Sequence, residues 1–445
     1  MTSRHRGTAS AHSIFRPNSP LRARHRAPSR IDVTATEECV YLDWAATTPP
    51  DPEILEEARR RALSSWANPS SAHAPGRKAR SELEEARTRF GQACGLRTGG
   101  IVFTASGTEA DQIPLLAALR ARYAGLKTSS RIIVSDIEHA AIHAQAEVLA
   151  RMGLAVDFLK PDRDGRIRPE DAAQALRKDT ALVAIMAVNN ETGAVQDIPA
   201  IGRALADAAA AQGRKPPFFH CDAVQALGKV PFVLSDMAKS GVTSAAFSAH
   251  KLRGPKGSGA LWFSTPIEAL ALGGGQEGGI RSGTESIQGA WGLTLAAERA
   301  KAGFEAHRTA ALELEAALLS GAASIPGVQV VPESRTAGDP RWSPYIVSLA
   351  FPGLSGEVLA RALSDLGIAI STGSACSEAG RSGKPGGGAG HGARGGKGRR
   401  ILDAMGLPPE LALASVRVSF GSASTRSDID RFLDAASTLY RRLKT

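Results

Sequence analysis

Lys251 stands in the run SAAFSAHKLRGPKGSGALWF, after a stretch of small and apolar residues and before glycines 254, 257 and 259. An amine placed at the end of a buried strand loses hydration, which lowers its pKa and makes it a nucleophile. Asp222 ends the apolar run PFFHCDA. A carboxylate there must be paired or functional if it is buried. His139 follows RIIVSDIE, and two readings of it stand: a base or ring stacker, or a satisfied polar residue at a strand end. Asn189, Asn190 and Glu191 form a polar cluster after ALVAIMAV. In FTASGTEADQ, Ser106, Gly107 and Thr108 lie where a strand turns into a helix. Free N–H groups at such a turn bind phosphate, although the same residue types also serve as ordinary caps. Ser248 and His250 flank the lysine's strand end, and Cys376 opens the segment CSEAGRSGKPGGGAGHGARGGKGRR.

Together these positions offer a phosphate cup, an imidazole, an amide, a carboxylate and a lysine. Pyridoxal phosphate needs that set: an amine to link it, a carboxylate to keep its ring nitrogen protonated, a flat group over the ring and donors for the phosphate. Other lysines compete poorly at this level, since Lys256 lies in a GPKG turn and Lys229 follows a helix expected after Asp222.

The elements that must carry these residues read as alternating strands and helices. Strands are expected at 100–106, 131–136, 181–190, 217–223, 243–250 and 259–265, with helices after the first two. Apolar runs alternating with helices predict an α/β fold with a mainly parallel sheet covered on both faces. Sites in such sheets lie at the carboxyl ends of the strands, where the polar residues stand. No internal repeat is evident.

Charge weighs against one class, which stays as the non-enzyme alternative. The chain of 445 residues carries a net charge of +10. Seven arginines in residues 1–31 and six basic residues in 377–400 supply all of it, so the remaining body is slightly acidic. The glycine- and arginine-rich segment has no aromatic residue for base stacking, which argues against a nucleic-acid-binding or scaffold protein. Both basic segments have compositions that predict disorder. Residues 1–38 read as a basic extension; their Arg- and Ser-rich, acid-poor start also suits a mitochondrial transit peptide, so a cytoplasmic location is expected with a mitochondrial one as the alternative. No run of eighteen apolar residues predicts a membrane span. The four cysteines show no CxxC spacing, which argues against a metal site. Cys39, Cys94 and Cys221 read as structural.

In order along the chain, VYLDWAATTP, NPSSAHAPGRKAR, FTASGTEADQ, EHAAI, VNNETGAVQDI, HCDAVQALGK, SAHKLRGPKGSGAL, GGGQEGGIRSGTES, STGSAC and VRVSFG resemble the class V aminotransferase-like pyridoxal phosphate enzymes, and among them the cysteine desulfurases of the NifS/IscS type. The resemblance covers about residues 39–432 and implies a fold type I transferase. It implies a large domain over 54–299 with a seven-stranded-type sheet, and a smaller α+β domain from 39–53 and 300–445 bearing the cysteine loop 371–400.

By the same resemblance Lys251 would link the cofactor, Asp222 would pair with its ring nitrogen and Gln225 would contact the ring hydroxyl. His139 would stack on the ring and assist proton transfer, and Asn190 would lie beside cofactor and substrate. Gly107, Thr108, Ser248 and His250 would hold the phosphate, and Thr284 would reach the phosphate of a partner subunit, implying a homodimer. Arg417 would clamp the substrate carboxylate, a task suited to a planar bidentate donor; without the family it reads equally as a strand arginine. Cys376 would take sulfur from L-cysteine as a persulfide, release alanine and pass the sulfur to an acceptor protein such as an iron–sulfur scaffold or sulfur carrier. An aminotransferase or a selenocysteine or cysteine-sulfinate lyase of the same fold is the alternative, which Cys376 argues against because transamination needs no thiol. The sequence departs from the family in the long glycine-rich segment after Cys376, in FTASGTE, which shifts the phosphate donors by up to one residue, and in SGTES, which lacks an asparagine.

Overall fold

Five-residue runs such as GIVFT, RIIVS, TALVA and SAAFS bury nearly every side chain. Only a strand covered on both faces does so. The computed structural model describes residues 39–96, 99–123, 131–373 and 399–444, all within one compact unit that begins at Cys39. Its main sheet has seven strands: β2 (Gly100–Thr104), β3 (Arg131–Ser135), β4 (Ala155–Leu159), β5 (Thr180–Ala184), β6 (Phe218–Asp222), β7 (Ser244–Ser248) and β8 (Gly259–Phe263). Their order is β2-β8-β7-β6-β5-β3-β4. All neighbouring pairs are parallel except those of β8, which runs antiparallel to both β2 and β7. The carboxyl ends of β2, β3, β5, β6 and β7 therefore share one edge.

Three details differ from the sequence reading. The strand expected over 181–190 leaves the ladder at Ala184, although Ile185 and Ala187 still donate to the carbonyls of His220 and Asp222. The strand β4 was not expected, because Asp157 interrupts its apolar pattern; at the sheet edge Asp157 instead takes Arg131 Nη1 at 2.8 Å. Residues 223–230 form a hydrogen-bonded turn, not a helix.

Residues 300–373 and 399–444 with the first described segment build a second core. β12 (Ser415–Ser419), β10 (Ile346–Ala350) and β9 (Gln329–Val331) make an antiparallel sheet, and β1 (Val40–Tyr41) pairs in parallel with β11 (Ile368–Ala369). Leu42 from the start packs here with Leu318, Val347, Val418, Ile429 and Phe432. The closing helix Arg426–Leu443 begins with a capping box, Thr425 and Asp428 each accepting from the other's amide. Arg399 and Arg400, grouped by sequence with the glycine-rich loop, are described: Arg400 opens the helix Arg400–Ala404 and donates to the carbonyls of Asp136 and Glu138.

Candidate active site

The shared strand edge opens on a cavity of about 180 Å³. Eleven residues singled out from sequence line it: Ser106, Gly107, Thr108, His139, Asn190, Asp222, Gln225, Ser248, His250, Lys251 and Arg417. They come from segments more than 300 residues apart.

After β2, Ser106 Oγ accepts from Glu109 N at 3.1 Å and so caps the helix Gly107–Tyr123. A Cβ on Gly107 would meet Val224 Cγ2 at 2.9 Å and Ser248 Cβ at 3.2 Å, so glycine keeps this corner open. Ser248 ends β7 with its Oγ buried and without a protein partner. The next turn, Ala249–Lys251, sends His250 Nδ1 to Thr47 Oγ1 at 3.1 Å; burial, then Lys251, pushes His250 down to about 3, so it is neutral. Lys251 Nζ donates to the carbonyls of Ala45 and Ala46, each at 2.6 Å.

Asp222 ends β6 with Oδ1 accepting from Val224 N at 2.9 Å. Burial, then the neighbouring Asp111, pushes its carboxyl up to about 8. Asp111 also lines the cavity and escaped the sequence reading, since one acid in a helix gives no signal of its partners. It lies 3.1 Å from His220 Nε2, and His220 Nδ1 lies 2.8 Å from Ser244 Oγ. Burial drives Asp111 up and His220 down to about 4, each toward its uncharged form. Glu138, fully buried beside His139, is likewise pushed up by burial and accepts from Met186 N at 2.7 Å.

His139 is the N-cap of the helix Ala140–Arg151, its Nδ1 accepting from Ala141 N at 3.1 Å. Burial, then Lys251, lowers it to about 4. A neutral ring whose Nδ1 accepts from an amide must carry its proton on Nε2. The ring therefore offers a proton donor at Nε2.

Arg417 sits in mid β12 and is 2% exposed. Its Nη1 donates to Asn190 O at 2.8 Å and its Nη2 to Asp43 Oδ1 at 2.7 Å, while Nε has no protein partner. Asn190 Oδ1 is also buried and unpartnered, whereas Asn189 is a structural hub taking the amides of Glu191 and Thr192. Thr284 is exposed on the segment before Ser286 and does not line this cavity. Cys376 lies outside the described residues. Cys94 and Cys221 are buried, and burial pushes both thiols up. Cys39 is exposed, contrary to its reading as structural, because it precedes the first strand.

Known proteins resemble this chain over nearly its whole described length. The aminotransferase class-V family matches residues 40–432. The chain is 33% identical over 411 residues to cysteine desulfurase IscS of Dictyoglomus turgidum, covering 91% of this chain and 95% of that one. It is 33% identical to cysteine desulfurase IscS of Methanosarcina thermophila, covering 93% and 95%. Among solved structures, a NifS-like protein superposes with a TM-score of 0.78 at 31% identity, covering 91% of this chain and all of that one. SspA in complex with cysteine superposes at 0.67 with 28% identity, covering 85% and 98%. The chain thus belongs to the aminotransferase class-V family and, within it, to the IscS/NifS-like cysteine desulfurases.

Proposed function

We propose that this enzyme uses pyridoxal phosphate to convert L-cysteine to L-alanine, passing the sulfur to Cys376 and then to an acceptor protein. The observation that carries the reading is the convergence of Lys251, Asp222, His139 and the Gly107–Ser248 corner on one cavity. The residues fit the cofactor in three respects. Ser248 Oγ and Asn190 Oδ1 are buried without partners at the cavity. A Cβ on Gly107 would crowd Val224 and Ser248, so only glycine fits at this corner of the cavity. Asp222 is an acid that burial keeps protonated until a cation faces it, and a protonated ring nitrogen is such a cation.

When bound, pyridoxal phosphate withdraws electrons from the substrate Cα and so weakens the Cβ–S bond. Lys251 would hold it covalently, Asp222 at the ring nitrogen, Gln225 at the ring oxygen, and Gly107, Thr108, Ser248 and His250 at the phosphate. Thr284 would serve the partner subunit of a homodimer. Arg417, buried and with Nε uncommitted, binds the substrate carboxylate. His139 would cover the ring and assist proton transfer as a donor through its Nε2–H. Cys376 supplies the thiolate that takes the sulfur; the buried, protonated Cys94 and Cys221 are unsuited to that role.

The test is incubation of the purified protein with L-cysteine, following alanine and protein-bound persulfide. Wild type should yield both. Lys251→Ala should lose the covalently held chromophore, and Cys376→Ser should keep the chromophore yet form no persulfide. Wild type that makes no alanine, or a Cys376→Ser variant with full alanine production, would overturn the proposal or its nucleophile respectively.

A further inference from the structure

Gln225 and Lys229 lie four residues apart in the turn after β6, where Leu227 N bonds Ala223 O and Val230 N bonds Ala226 O. Lys229 Nζ donates to Gln225 Oε1 at 2.6 Å, and Gln225 Nε2 donates to Ala45 O at 2.9 Å. That carbonyl is also one of the two that take Lys251 Nζ. Gln225 lines the active-site cavity; Lys229 does not, and borders a neighbouring cavity of about 160 Å³. Gly228, at φ +70, gives the turn the left-handed step that lets the chain pass close to Ala300.

An amide carries one oxygen and two N–H donors. Turned the other way, Gln225 would set N–H against the Lys229 amine and oxygen against the Ala45 carbonyl. Its oxygen is therefore directed to Lys229, and one N–H remains after Ala45 is served. On the reading that Gln225 meets the ring oxygen of pyridoxal phosphate, we propose that Lys229 is a positioning residue that holds the Gln225 amide with its donor toward the cofactor. The consequence is selective: a donor favours the deprotonated ring oxygen, whereas a flipped amide would offer an acceptor and favour the protonated one. The amine is kept at this place despite burial, which, ahead of Lys251 and Arg417, pushes it down to about 7.

The experiment is a double-mutant cycle read by cofactor affinity and by the absorption spectrum of the bound cofactor at one fixed pH. Lys229→Met keeps the stem without the donor, and Lys229→Ala is a second removal beside a cavity. Melting curves of the apoproteins establish that each is folded. Each should weaken pyridoxal phosphate binding about tenfold, the effect of one lost charge-assisted hydrogen bond, and shift the bound absorption to shorter wavelength. On a Gln225→Ala background Lys229→Met should change affinity less than about twofold, because the link is already cut. Equal losses on both backgrounds, or a wild-type spectrum in both Lys229 variants, would overturn the assignment. Failure of wild type to bind the cofactor would instead sink the underlying reading, and this inference with it.

Discussion

Asp222 and His139 both sit where water cannot reach freely, and burial moves them in opposite directions, Asp222 up to about 8 and His139 down to about 4. Each is driven toward neutrality, as desolvation requires. For Asp222 the folded value lies above its ordinary 3.8, so its favourable contribution is complete below that pH and is lost as pH rises towards 8. Asp222→Asn removes this dependence at nearly constant shape. The variant apoprotein should therefore melt higher than wild type by about 2–5 °C near the upper end of this range. The difference should shrink on acidification, while cofactor-dependent alanine production is lost. Calorimetry across pH checks it; a variant that melts lower at every pH would show that the carboxylate stabilises the apoprotein. The arrangement is a stability sacrifice at a functional position.

Elements matter here chiefly through their ends. The strands β2, β6 and β7 stop at Thr104, Asp222 and Ser248, and the turns that follow carry Gly107, Gln225 and Lys251 into one space. The helix starting at Gly107 turns amides and a positive dipole end to that space, where an anion would be favoured. Gly107→Val would place branched carbons against Val224 and Ser248 in the corner where the phosphate is proposed to sit. It should weaken pyridoxal phosphate binding by at least about 100-fold, roughly 2.7 kcal/mol. Far-ultraviolet circular dichroism of the variant should show that the helices are kept. Equilibrium dialysis measures the loss; retained affinity would move the phosphate away from this corner.

At the scale of the molecule, a buried arginine of the second core, held by an ion pair, reaches across to the loop after Asn190. Arg335 Nη2 lies 2.8 Å from Glu315 Oε1, with both side chains almost fully buried. Arg335 also donates to Thr192 O at 2.8 Å, Ile346 O at 2.6 Å and Ser343 O at 2.8 Å. It thus ties the loop after Asn190 to β10 of the second sheet. Glu315→Ala leaves a buried guanidinium without its counter-charge, a change of about 3–5 kcal/mol. Urea unfolding should show a lower midpoint, and cofactor affinity should fall with it because Asn190 lies two residues from the tied loop. An unchanged midpoint would show that the carbonyl partners alone satisfy Arg335.

Sequence by itself determined the fold class and the strand ends that bear chemistry, because buried parallel strands need unbroken apolar runs and so mark their own limits with polar residues. GIVFT, RIIVS and SAAFS are legible for that reason, and Lys251, Asp222 and His139 stand at or just past such limits. The half-buried edge strand β4 was not legible, because its pattern is broken by Asp157, whose partner Arg131 is on another strand. Tertiary structure alone decided the partners of the charged groups. Asp111 with His220, Arg417 with Asp43, and Arg335 with Glu315 are separated by 109, 374 and 20 residues. No local spacing encodes such pairs, since burial and charge act through space and not along the chain. Lys229 was set aside on sequence grounds as lying beyond a helix; the turn that replaces that helix brings its amine onto Gln225, a contact only the folded chain could make plain.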